Sequence, residues 1–318
     1  MAKSTSAESG QLLDPSFGEP EAMARVLEAH ADYRVLRRLV PSLDFGRKAT
    51  GDVVRVAVLD TETTGLDASK ERIIELALLL VDVDVATGLP LRIDAVYDEL
   101  EDPGKPIPPD ALRVTGITDD MVAGKRLDDA AIAGLMQGVS LVVAHNARFD
   151  RAFMEQRLPL FAQLPWACSL ADIDWSKQGK GSAKLEFLAQ ELGWFYDAHR
   201  AEMDCHALLA VLTAPLPMAD ETGLARLLRV AQTPSFRVYA TGSPFDSKDA
   251  LRGRGYRWDA ERKVWHTGIS DAQLLDAELA WLKQSVYRGR STSVEVATQS
   301  AIDRHSSRPG QIQLTPLP

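Results

Sequence analysis

Apolar residues recur along this chain in two periods. Val53-Val54-Arg55-Val56-Ala57-Val58-Leu59 is a nearly continuous apolar run rich in β-branched residues, the pattern of a strand buried on both faces. Comparable runs near 73–82, 92–99, 141–145 and 165–170 predict further strands, and helical spacing predicts helices near 128–137, 147–158, 183–193 and 200–213. The order β-β-β-α-β-α-β-α-α over residues 51–220 predicts an α/β fold, a mixed sheet covered by helices on both faces.

The pattern changes on both sides of that region. Residues 1–20, rich in Ser, Gly, Glu and Pro, predict a disordered tail. Residues 21–50 predict a helix and linker, with Met23, Val26, Leu27, His30, Val35, Leu36 and Leu39 as an apolar stripe ended by Pro41. That helix is expected to pack on the following domain, the alternative being a partner-binding or oligomerising helix. Pro215 and Pro217 mark a boundary, and residues 222–232 predict a short linking helix. A small α+β module is expected over 235–288: strand Phe236–Ala240, helix Ser247–Arg254 closed by Gly255, hairpin Tyr256–Trp258 with Lys263–His266, and helix Asp271–Tyr287. Residues 289–318, rich in Ser, Thr and Gln, predict a flexible tail.

The net charge of −9 is unevenly spread. Residues 51–220 carry 15 Lys and Arg against 28 Asp and Glu, whereas 221–290 carry 12 against 8. An acidic domain therefore sits beside a basic segment, which could supply phosphate affinity that the acidic part lacks. Two cysteines, Cys168 and Cys205, form neither a disulfide framework nor a zinc pattern. No stretch has the composition of a signal peptide or a membrane span, so the expected location is cytoplasmic, with no membrane partner.

Candidate chemistry gathers at element ends. Asp60 and Glu62 close the first strand, and residues two apart on a strand share a face. Such neighbouring carboxylates repel unless cations are bound, and hard divalent cations take oxygen ligands. Leu141-Val142-Val143-Ala144-His145-Asn146-Ala147-Arg148-Phe149-Asp150 predicts a strand, an Asn cap and a helix carrying Asp150 in its first turns. His199-Arg200-Ala201-Glu202-Met203-Asp204 predicts another helix start, with Asp204 in the first turns and His199 at or before the cap.

These three segments resemble the motifs of the DEDDh 3′→5′ exonucleases, a family that includes the epsilon proofreading subunit of bacterial DNA polymerase III, ribonuclease T and oligoribonuclease. Asp60–Gly65 is similar to the first motif, His145–Asp150 to the second and His199–Asp204 to the third, and Gly116-Ile117-Thr118 matches a further signature. Thr115 stands where the epsilon group often has His. The resemblance covers roughly 52–215.

It implies a ribonuclease H-like fold, with Asp60, Glu62, Asp150 and Asp204 holding two divalent metal ions, Mg²⁺ or Mn²⁺, and His199 as general base. It also implies that Thr63, Thr64, Gly65, Asn146 and Phe149 shape the substrate pocket, Phe149 being equally readable as core; His145 and His206 remain structural. The implied partner is single-stranded nucleic acid. DNA is favoured over RNA because Thr63-Thr64 matches the epsilon type. The alternatives are an exoribonuclease, or a silent nucleic-acid-binding or polymerase-associated module.

The spacing of Lys248, Ala250, Gly255, Trp258 and Trp265 resembles a small module appended to some DNA-processing proteins. Its two Trp residues read either as base-stacking platforms or as the module's own core, with Arg252, Arg254, Arg257, Arg262 and Lys263 as a basic face. Gln311-Ile312-Gln313-Leu314-Thr315 is faintly similar to a sliding-clamp docking sequence, which adds a polymerase or clamp as a further partner.

Overall fold

In the computed structural model, residues 20–318 are described. The chain starts with α1 (Pro20–Glu28) and a short strand, β1 (Arg37–Arg38). Three long strands follow, β2 (Val53–Thr63), β3 (Ile73–Asp84) and β4 (Leu89–Leu100). Helices α2 (Pro109–Thr115), α3 (Asp119–Val122) and α4 (Asp129–Leu135) lead to β5 (Val139–Ala144), α5 (Ala147–Arg157) and β6 (Trp166–Cys168). Then come α6 (Leu185–Glu191), β7 (Trp194–Phe195), α7 (Ala201–Thr213) and α8 (Gly223–Ala231).

The main sheet has five strands in the order β4-β3-β2-β5-β6. β2 is antiparallel to β3 and parallel to β5, so the sheet is mixed, as the alternation of elements predicts. Alternate residues of the central strands feed two cores. Val56, Val58, Ala77 and Leu79 meet Leu208 and Leu212 of α7 and Leu227 of α8. Ala57, Leu59, Leu76 and Leu78 meet Ile132 of α4 and Phe153 and Met154 of α5. Each such side chain contributes about 1.5–3 kcal/mol on burial, so β2 is pinned from both sides where its end carries the acids.

The second unit contains β8 (Ser235–Tyr239), α9 (Lys248–Gly253), β9 (Arg257–Asp259), β10 (Val264–Ile269), α10 (Ala272–Trp281), β11 (Ser293–Gln299) and β12 (Gln311–Pro316). They form a five-stranded sheet in the order β12-β11-β8-β10-β9. Val238, Val294 and Val296 on one face pack against Leu251, Leu279 and Leu282 of the helical layer.

Several expectations need correction. Residues 289–318 are not a flexible tail: they supply β11 and β12, because Val294 and Val296 alternate into the module's core. The clamp-like segment is accordingly a paired strand, with Ile312 opposite Ala297 and Leu314 opposite Glu295. The first helix stops at Glu28 rather than near residue 40, because Arg37 and Leu39 donate backbone hydrogen bonds to Gly193 and Phe195 instead. None of its residues is buried, whereas Leu39, further along the expected stripe, packs against the first core. Residues 223–231 do not merely link two units; Leu224 and Leu227 sit in the first core. Gly88 allows this: a side chain there would meet the α8 backbone at 2.4 Å, and its φ is +66°. The tail expected over 1–20 falls, up to residue 19, outside the described residues.

The two sheets are joined through residues 300–308. Arg151 of α5 is fully buried. Its guanidinium donates to the carbonyls of Ala301, Ile302 and Arg304 and to Glu155. Arg304 in turn donates to the Ser235 hydroxyl at 3.0 Å and to the Thr233 carbonyl at 2.6 Å. Arg308 pairs with Glu155 at 2.8 Å, and His305 with Asp172 at 2.9 Å.

Candidate active site

β2 runs to Thr63, so Asp60 and Glu62 lie among its last four residues, on one face of the strand. A register shift follows between Glu62, opposite Glu75, and Thr63, opposite Ile73. α7 comes in over the same strands and brings Asp204 from its first turn. Carboxylate oxygens of Asp60, Glu62 and Asp204 lie within 4.8 Å of one another. Asp150, one turn into α5, is buried beside them but outside this trio. Its Oδ1 accepts from the Thr61 backbone N–H at 3.1 Å and the Thr61 hydroxyl at 2.9 Å.

Four acids so close, Glu62 and Asp150 buried and Asp60 and Asp204 half-buried, raise each other's proton affinity. Burial, then the charges of Asp150, Asp204 and Glu62, push the Asp60 carboxyl well above the usual range. Burial and Asp204 raise Glu62 to about 8, and burial raises Asp150 to about 7. Asp204 is raised by burial, less so because donors reach it: Tyr196 Oη–H to Oδ1 at 2.9 Å and the His199 N–H to Oδ2 at 2.7 Å. Among the described residues, no hydrogen-bond donor reaches the carboxylates of Asp60 or Glu62. An oxygen-only set of that kind, rigid and short of positive charge, suits a hard divalent cation.

His199 adopts a left-handed backbone, φ 65°, in the turn before α7. This strain aims its N–H at Asp204 and leaves an exposed imidazole with no hydrogen-bond or ion-pair partner among the described residues. Of the expected pocket residues, Thr64 is buried and its hydroxyl donates to Glu71, while the Thr63 hydroxyl donates to the Gly65 carbonyl at 2.7 Å. These hydroxyls shape the loop itself. Asn146 is exposed at the start of α5 with φ 67°. Phe149 is half-buried against Phe153, with ring centroids 5.0 Å apart. His145 is lodged against Ser169 at 2.7 Å, and burial lowers it to about 4; His206 is also buried.

The exonuclease family model, RNase_T, matches residues 57–212. Across a longer stretch, the chain is 31% identical over 199 residues to DNA polymerase III subunit epsilon of Treponema pallidum, covering 59% of this chain and 88% of that protein. The chain belongs to the exonuclease family. It is also 38% identical over 102 residues to DNA polymerase III PolC-type of Listeria monocytogenes, which covers 30% of this chain and 6% of that polymerase. Among solved structures, Exonuclease X in complex with 5′ overhanging duplex DNA is 24% identical, with a TM-score of 0.40 over 54% of this chain and 99% of that one.

Three further residues of this exonuclease support the acids, Arg200 inside the third motif and Glu75 and Tyr196 outside the motifs. Glu75, in β3 directly across from Glu62, is buried and accepts from Arg200 Nε at 2.9 Å and the Ala201 N–H at 2.9 Å. It thus anchors the start of α7, the helix that carries Asp204. Tyr196 orients Asp204 from the opposite side. Glu75 had a visible signal, an acid inside the apolar run Ile73–Leu80; Tyr196 had none, and Arg200, although inside the third motif, gave no sign of its partner, which is set by the fold.

Proposed function

We propose that this chain is a metal-dependent 3′→5′ exonuclease that releases nucleoside monophosphates from single-stranded or frayed DNA ends. The carrying observation is the cluster of Asp60, Glu62 and Asp204 oxygens within 4.8 Å, two of its carboxylates reached by no donor among the described residues. The similarity to a DNA polymerase III subunit favours DNA over RNA.

Asp60, Glu62, Asp204 and Asp150 would hold two divalent cations, Mg²⁺ or Mn²⁺, which when bound supply an acidified water and charge neutralisation at phosphorus. The chain's own part is to place and to move a proton. Glu75 and Arg200 fix the helix that carries Asp204, so the acids are positioned before substrate arrives. His199 takes the proton of the attacking water on its free imidazole. The water oxygen bonds to the terminal phosphorus, and the bond to the preceding O3′ breaks, that oxygen taking a proton from solvent to become the new 3′-hydroxyl while His199 returns its own proton to solvent. The terminal nucleotide leaves as a 5′-monophosphate. Asn146 and Phe149, at the start of α5, would border the terminal nucleotide together with Thr63–Gly65.

A 5′-labelled DNA strand should shorten stepwise from its 3′ end with Mg²⁺ or Mn²⁺ and stay intact in EDTA. His199→Ala should lower turnover and alter the acid limb of the pH–rate profile while metal affinity survives. Unchanged activity in EDTA contradicts the metal role. Shortening of RNA but not DNA points to the exoribonuclease alternative, and binding without hydrolysis to the silent one.

A further inference from the structure

The basic residues of the C-terminal unit do not form the single face that their spacing suggests. Arg254 pairs with Glu278, and Arg262 pairs with Glu295 while lying 3.9 Å from the centre of the Tyr239 ring. Arg252 leans on Trp265, which packs against the module core, with Trp258 half-exposed at its edge. Arg262 and Glu295 lie on the outer face of the sheet, since Glu295 is directly across from Tyr239. Arg257 lies directly across from His266, and His266 from Tyr239, so all three share that face. Arg237 follows two residues before Tyr239 on the same side.

Among the described residues, neither Arg237 nor Arg257 has a carboxylate partner, and the exposed Arg148 has none either. Arg148 belongs to the other unit, two residues before Asp150 at the start of α5. Its charge nonetheless acts on His266, as do those of Arg237 and Arg257; burial first and then these arginines lower His266 from its ordinary value. Unpaired cations from two units therefore converge on one half-buried histidine. The junction that holds them is rigid. Arg151 is bonded to the Arg304 carbonyl at 2.6 Å, and Arg304 to the Ser235 hydroxyl at 3.0 Å, two residues from Arg237.

The two acids of that face are already engaged, Glu295 by Arg262 and Asp259 by the backbone N–H groups of Glu261 and Arg262, so Arg237 and Arg257 lack a counter-charge unless a ligand supplies it. We propose that Arg148, on the side of α5 that its i+3 neighbour Arg151 bonds to the C-terminal unit, forms with Arg237 and Arg257 one phosphate-binding track across the outer face of the C-terminal sheet that holds a single strand upstream of its 3′ end. Arg257 and Arg237 are separated by two strand spacings and two residues along the strand, about 12 Å, enough to meet different phosphates. The track takes the sugar–phosphate backbone of single-stranded nucleic acid without reading its sequence. This identification of the ligand rests on the nuclease reading of the acid cluster.

The test is anisotropy of a fluorescent twenty-nucleotide oligothymidylate in EDTA, with the full chain and its Arg237→Gln/Arg257→Gln variant, alongside turnover of a dinucleotide with Mn²⁺. The variant should bind more weakly by up to about fivefold per arginine, the upper range for an exposed ion pair. Its salt slope should fall by about 0.7 per phosphate contact, and dinucleotide turnover should be unchanged. Adding Arg148→Gln should deepen the loss on the long strand. Equal affinity and equal salt slope overturn the track. Where binding and dinucleotide turnover both collapse, Arg237→Lys/Arg257→Lys decides: restored binding supports the track, and failure to restore it refutes it. Wild-type protein that binds the long strand with the expected salt slope yet hydrolyses nothing removes the nuclease reading and leaves the track standing.

Discussion

Asp150 and Arg151 are neighbours on α5, both buried, and they belong to opposite kinds of environment. Asp150 faces Asp60 and Asp204, where like charges crowd and burial raises every carboxyl. Arg151 faces residues 301–304, where carbonyls and Glu155 satisfy its guanidinium. A satisfied buried charge cements structure. A frustrated cluster costs stability, and a fold retains it where a ligand repays the cost. One helix thus carries a residue of the candidate site on one side and a structural bolt on the other.

The sharpest way to break that contrast is to remove one charge from each side. Asp204→Ala should reduce hydrolysis at least about 100-fold, the scale of one preorganised charge stabiliser, with the protein still folded. A steady-state assay beside a circular dichroism spectrum checks both halves. Arg151→Ala should do the reverse: it strands three carbonyls and should cost about 3–5 kcal/mol in denaturant unfolding, with turnover per folded molecule largely kept. Loss of activity without loss of stability in Arg151→Ala would erase the distinction.

The two sides should also differ in pH response. In chelator, Glu62 and Asp150 are raised to about 8 and 7 in the folded state, against ordinary carboxyl values of about 4 when unfolded. The folded protein binds more protons, so the stability they confer is fully present below the unfolded values and is lost as pH rises through the folded ones. Melting temperature in EDTA should therefore fall between about pH 4 and 8, and saturating Mg²⁺ or Mn²⁺ should flatten the decline. Arg151, ionised throughout that window, should contribute no such slope.

Much of this was legible in the sequence, for local reasons. The β-branched run ending in Asp60 and Glu62 sets both a buried strand and the face its acids share. Asp150 and Asp204 are placed by short-range helix starts. What was missed depends on pairing at long range. Glu75 and Arg200 meet 125 residues apart, and the bolt of Arg151 to Arg304 spans 153. The polar composition of 289–318 hides an alternation at Val294 and Val296 that makes β11 a core strand. The stripe after Glu28 continues helical spacing, yet the exposed backbone of Gly193–Phe195 recruits Arg37–Leu39 as a strand instead.

The frustration of the acid cluster is tested most directly by melting Asp60→Asn beside the wild type at pH 8, first in EDTA and then with excess Mn²⁺. Among the described residues Asp60 accepts no side-chain hydrogen bond, so the substitution removes a charge and little else. The variant should melt above the wild type in EDTA and lose most of the Mn²⁺-induced rise. A variant that melts below the wild type in EDTA, or keeps the full rise with Mn²⁺, would contradict a cation-binding role for the cluster.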